Sequence, residues 1–131
     1  MLEALASFAL YFATAIVLLF VFQAVYMAVT PHRETELIKG GNVAAATAYI
    51  GALIGFVLPL ASALANSVSL VDFAIWGVIA GVVQVLTWVV VRTFFYKNIS
   101  ESIVAGTLAP ALKLAGVSVS VGILNAASMT Y

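Results

Sequence analysis

The chain has 131 residues; 65% are apolar and 8% charged, with five basic and five acidic side chains, one histidine and no cysteine. Soluble domains carry roughly 25% charge, and a small one exposes a large share of its surface. With a mean hydropathy of +1.21, this composition excludes a soluble single-domain enzyme, a disordered tail, a disulfide scaffold and a cysteine-ligated metal site. A net charge of zero supplies no basic field for nucleic acid.

Charge-free runs locate the spans. They extend from Ala4 to Pro31, from Gly40 to Val71 and from Phe73 to Val91, and from Ser102 onward the only charge is Lys113. A helix crosses hydrocarbon in about 20 residues, so each run supplies one span. Four are expected: Leu5–Val29, Val43–Asn66, Phe73–Val91 and Ala111–Met129. Alternating ten-residue strands are absent, which excludes a barrel. The expected fold is an all-α integral membrane protein with one four-span domain over residues 1–131.

Span one has Glu3 where a signal peptide carries basic residues, and its apolar stretch is too long for one, so it reads as a retained span. It lacks glycine and is rich in Phe8, Tyr11, Phe12, Phe20 and Phe22, which predicts the most lipid-exposed helix. The following loop, Thr30 to Asn42, holds His32, Arg33, Glu34, Glu36 and Lys39. Thr30 is expected to cap an interfacial turn begun by Pro31. His32, Glu34 and Glu36 suggest a metal trio, but without a second histidine the reading is a solvated, partner-facing loop and no metal.

Span two carries Gly51 and Gly55 at GxxxG spacing, preceded by Ala44 and Ala48. In lipid, small residues let helices pack closely. Pro59 removes a backbone donor, leaving the Gly55 carbonyl in need of another partner and predicting a kink. Ser62 and Asn66 follow, then Asp72, placed to cap span three. Span three carries Gly77 and Gly81, again GxxxG. Nearer the inner face lie Gln23 of span one and Gln84, Thr87 and Arg92 at the end of span three. Gln84 is expected to bond a neighbouring helix and Arg92 to snorkel on a similar face. Pro110 reads as the start of span four, with Lys113 in its first turn, snorkelling. Ser118, Gly122 and Ala126 give this span a smooth stripe, and Asn125 lies near its end.

Arg33 and Lys39 occupy one loop, Arg92 and Lys97 another, and the Ser67–Asp72 turn has no basic residue. The positive-inside rule places both basic loops in the cytoplasm and both termini outside. Ser62, Asn66, Asp72 and Asn125 then fall together toward the outer leaflet as a candidate intramembrane polar cluster, either a structural clasp or a small cation or polar-ligand site. Sliding the chain on itself pairs Phe8 with Phe73, Glu36 with Glu101, Gly41 with Gly106 and Gly51 with Gly116. Two tandem two-helix repeats in parallel orientation are therefore expected, about 1–66 and 67–131.

Several residues together carry a family resemblance: Thr30-Pro31-His32, Leu37-Ile38, Asn42 before Ala44-Ala45, Gly55 with Pro59-Leu60, and Ser62-Ala63. Asp72, Trp76, Gln84, Arg92, Asn125-Ala126-Ala127 and Met129-Thr130 complete the pattern. In order and over essentially the whole chain, it resembles the YjfL-like bacterial inner-membrane proteins, domain-of-unknown-function family 350; Lys113 departs from the pattern. The resemblance implies a four-span inner-membrane protein, which makes the outward-facing termini periplasmic. It implies no established activity and a setting in envelope maintenance or stress.

No nucleophile–base pair, phosphate loop or dinucleotide fingerprint is present. The expectation is a non-enzymatic membrane subunit without cofactor. It would contact membrane lipid, form a homo-oligomer and offer cytoplasmic loops to a protein partner. The alternative is an oligomeric channel or transporter for ions or small polar solutes, with the polar cluster facing its axis.

Overall fold

The computed structural model describes residues 1–129; Thr130, the last residue of the family-like pattern, and Tyr131 lie outside the described residues. In chain order the elements are α1 (Leu2–Val29), α2 (Glu34–Lys39), α3 (Val43–Asn66), α4 (Leu70–Val90), a π-helical segment (Val91–Phe95), α5 (Ile99–Val104) and α6 (Leu108–Ser128). Four of these helices, with α4 extended through Phe95, are long and apolar enough to span a bilayer. The described residues contain no strand. The loops containing α2 and α5 lie at one end of the bundle, here the loop end; the α3–α4 turn lies at the other.

The helix boundaries follow from their caps. At the end of α1, the Thr30 hydroxyl donates to the Tyr26 carbonyl at 3.0 Å, and the backbone turns extended there ahead of Pro31, which disfavours helix in the residue before it. Thr30 therefore closes α1 instead of capping a turn begun by Pro31. Asn42 caps α3, its Oδ1 accepting from Ala45 N at 2.9 Å. α4 begins at Leu70, earlier than the expected Phe73, because Ser69 Oγ accepts from Asp72 N at 3.1 Å. Asp72 reaches back to accept from Val68 N at 3.0 Å, a reciprocal arrangement close to a capping box. α6 begins at Leu108 instead of Ala111. Pro110 thus sits within its first turn, where proline is tolerated, and Lys113 lies in the second turn, not the first.

The two connectors containing α2 and α5 are built alike. Gly41 and Gly106 adopt φ of 86° and 81°, left-handed values that suit glycine. Asn42 N donates to Leu37 O and Thr107 N to Ser102 O, each at 2.9 Å.

The tightest seam joins α3 to α6. A Cβ placed on Gly51 would fall 2.5 Å from the Ala115 methyl, and one on Gly122 would fall 2.6 Å from the Gly55 Cα and against the Gly55 carbonyl oxygen. Pro59, buried within α3, leaves that carbonyl without its helical donor. α6 closes onto it at Gly122, where an added Cβ would fall against that oxygen. On the other side of α3, Phe22 of α1 stacks on Phe56 with centroids 4.3 Å apart, and Leu18 of α1 covers Gly77 of α4. Otherwise α1 is peripheral: Phe8, Phe12 and Phe20 are exposed, and only Phe22 and Tyr26 are buried along its length. Lipid accommodates such side chains as readily as a protein core does. Gly81 has only ordinary contacts, 3.5 Å from Phe56 at the nearest.

Candidate functional site at the loop end

The residues that sequence reasoning groups do not all meet. Ser62 Oγ donates to the Ala126 carbonyl at 2.9 Å, tying α3 to α6. Asn66 bonds back to Ser62 O at 2.9 Å within its own helix. Asp72 serves the start of α4 through Val68 N. The Asn125 side-chain nitrogen is buried and has no hydrogen-bond partner among the described residues. Ser62 and Asn66 are thus brought together, whereas among the described residues no hydrogen bond joins Asn125 to them.

Toward the loop end, Gln84 is buried and its Nε2 donates to the Ser118 carbonyl of α6 at 2.8 Å. It fills the space above Gly55: a Cβ on Gly55 would lie 2.6 Å from Gln84 Nε2. Arg92, unlike Gln84, is not buried. It lies exposed in the π-helical segment, where the wider turn breaks the α-helical register set by Gln84.

The loop itself differs from a solvated one. His32 and Glu34 are only 6% and 2% exposed, while Arg33 and Glu36 pair with each other in solvent at 3.1 Å. Glu36 therefore stands apart from the other two members of the suggested metal trio. No group of three metal-ligating side chains occurs among the described residues. The Thr30 hydroxyl shares its one proton between the Tyr26 carbonyl and Glu34 Oε1, and His32 Nε2 lies 3.4 Å from the same carboxylate oxygen. His32 Nδ1 is 2.7 Å from the Ser100 hydroxyl, and its ring meets the edge of Trp88 with centroids 5.6 Å apart. Glu34 Oε2 is buried and has no hydrogen-bond partner among the described residues. Behind the pair, Tyr26 packs against both Tyr49 and Trp88, and the Tyr49 hydroxyl donates to Gln23.

Burial sets the electrostatics. It pushes the Glu34 carboxyl above its usual range, outweighing the Thr30 hydrogen bond that pulls it down. It pulls the His32 imidazole below its usual value. Both shifts favour the uncharged forms. With its proton on Nε2, a neutral His32 faces Glu34 with a donor and accepts at Nδ1 from Ser100. The arrangement holds protons away from bulk water and pins one loop to the other. A second tie runs parallel to it: Asn42 Nδ2 donates to the Ile103 carbonyl at 2.8 Å.

Sequence reasoning names His32 and Glu34 but misses Ser100, Thr30 and Trp88 as their partners. The signal within reach is the sequence pairing of Gly41 with Gly106, the two glycines that take left-handed φ at the ends of the connectors.

Four apolar helices around a small-residue seam define a multi-pass membrane protein. The chain matches the Domain of Unknown Function DUF350 over residues 1–129 and belongs to that family. It is 38% identical over 130 residues to the UPF0719 inner membrane protein YjfL of Escherichia coli strain K12, covering 99% of this chain and 98% of that protein. The same figures hold for the YjfL protein of Escherichia coli O157:H7. No solved structure matches the chain.

Proposed function

We propose that the protein is a non-enzymatic, oligomeric inner-membrane subunit that presents its loop end on the cytoplasmic side as a docking surface for a protein partner in envelope maintenance. The observation that carries this reading is the contrast within the loops. His32 and Asn42 fasten the first connector to Ser100 and Ile103 of the second, while Arg33, Glu36, Lys39, Lys97 and Glu101 remain exposed. A surface whose backbone is already ordered loses less entropy on binding, and exposed charges of both signs favour orientation and partner choice over raw affinity.

Photo-crosslinking tests the reading in native membranes. Reactive side chains at Arg33 and Glu36 are expected to give a discrete adduct that disappears on Glu101→Arg, and reactive side chains at Phe8 or Val17 are expected to give lipid or self adducts. Absence of a loop-specific adduct would sink the docking reading. Because the chain has no cysteine, single cysteines at Glu36 and Val68 report sidedness with an impermeant thiol reagent. Labelling of Glu36→Cys from outside the cell would reverse the orientation. Ion flux in liposomes that is lost on Asp72→Asn would favour a conducting assembly instead.

A further inference from the structure

A second feature of the loop end lies on the lipid-facing side, between α4 with its π-helical continuation and α6. There the helices part to leave a groove of about 820 Å³, within the size range of ligand pockets. Its walls are apolar, with Val83 and Leu86 on α4 facing Val117 and Val121 on α6. Three polar side chains line it: Thr87, whose hydroxyl donates to the Val83 carbonyl of its own helix, and, toward the loop end, Tyr96 and Lys113. From Val121 to Pro110 the groove runs about 16 Å at 1.5 Å per residue, close to half of the ~30 Å hydrocarbon thickness. It is as long as one leaflet is deep.

Among the described residues, Lys113 is the only charged side chain lining this groove. Among the described residues no carboxylate forms an ion pair with it; Glu34 pairs with His32 and Glu36 with Arg33. The two nearest cations in sequence, Arg92 and Lys97, stand exposed at the same end of α4. The wall thus offers positive charge at the level where headgroups lie and no negative charge to answer it. An ammonium on a spanning helix is costly unless it reaches the interface or an anion.

We infer that this groove binds one anionic phospholipid, an acyl chain lying between α4 and α6 and its phosphate held by the Lys113 ammonium. The chain occupies the apolar length from Val121 upward. The headgroup meets Lys113, with Tyr96 beside it at the interface, where aromatic side chains are favoured. The π-helical segment contributes Val91 and Phe95 to the groove's lining. The site depends on neither the loop-end docking reading nor the orientation.

Native mass spectrometry of the purified full chain, given equal phosphatidylglycerol and phosphatidylcholine, tests the inference. The wild type is expected to retain phosphatidylglycerol preferentially. Lys113→Leu is expected to lower that preference about fivefold, the effect of one basic residue at a membrane surface, and Lys113→Arg to keep it. Val117→Trp, which fills the groove, is expected to reduce retention of both lipids. Lys113 is exposed, so far-UV circular dichroism of the leucine variant should match the wild type. Equal retention of the two lipids by the wild type, or an unchanged preference in Lys113→Leu, overturns the proposal. So does efficient disulfide cross-linking between copies through Val83→Cys and Val117→Cys, which would place a second copy of the chain in the groove.

Discussion

Gly122→Ala probes the seam on which the bundle depends. The added methyl would lie 2.6 Å from the Gly55 Cα, where ordinary contact is 3.4–4 Å. The obstruction is backbone, which cannot rotate away as a side chain can. α3 and α6 must separate by about 1 Å at that level, and a gap of this size forfeits a quarter to a half of the attraction between facing atoms. Overpacking of this kind costs about 1–3 kcal/mol, set against the up to ~1 kcal/mol that alanine regains over glycine in a helix. Gly116, on the same helix, is the internal control. A methyl added there would meet nothing within 4 Å, so Gly116→Ala should be neutral or stabilising by up to about 1 kcal/mol. Unfolding in mixed micelles by titration with sodium dodecyl sulfate, followed by far-UV circular dichroism, reads both variants against the wild type. Equal midpoints for the two alanine variants, or a Gly122 variant more stable than the Gly116 one, would refute the seam argument.

Other perturbations separate the remaining devices. Burial lowers the His32 pKa from 6.5, so the unfolded state binds the extra proton and wild-type stability should fall relative to His32→Gln as pH drops below 6.5. Glu34 has the opposite sign. Its pKa is raised from 4.5, the folded state holds the extra proton, and wild-type stability relative to Glu34→Gln should fall as pH rises above 4.5 through the raised value. Unfolding midpoints across pH check both slopes, and a flat difference in either case removes that group from the account. Asn42→Ala removes the α3 cap and the tie to Ile103; a loss of about 1–2 kcal/mol is expected, with faster amide exchange in α5, and unchanged exchange there would mean that the tie does not order the loop. Gln84→Leu deletes the bond to Ser118 together with a buried Oε1 that has no partner. Interhelical hydrogen bonds in membranes average ~0.6 kcal/mol, so stability should stay within about 1 kcal/mol of wild type, and a larger loss would assign Gln84 more than packing.

The spans are legible because lipid imposes a simple rule on charge. α3 matches its expected bounds, Val43 to Asn66, because a polar residue stands at each edge of the apolar run. For α4 and α6 the same rule starts the helix three residues late, because their caps, Ser69 and Thr107, lie outside the most apolar stretch. The glycine pattern carries real information about Gly51, Gly55 and Gly122, which touch backbone, but not about Gly81, which touches only aromatic rings at ordinary distance. The burial of His32 and Glu34 is invisible for a different reason. It is produced by Ser100 and Trp88, and nothing local to a mixed-charge loop announces partners so far along the chain.

The placement of the α3–α6 seam has a consequence for biogenesis. Its two halves are the second and the fourth of the described membrane helices, so a nascent chain that has not yet released α6 cannot form it. Until then α3 holds its alanine and glycine face open in the bilayer, beside an α1 already suited to stand alone. The fourth of these helices to leave the ribosome is the one that closes the seam.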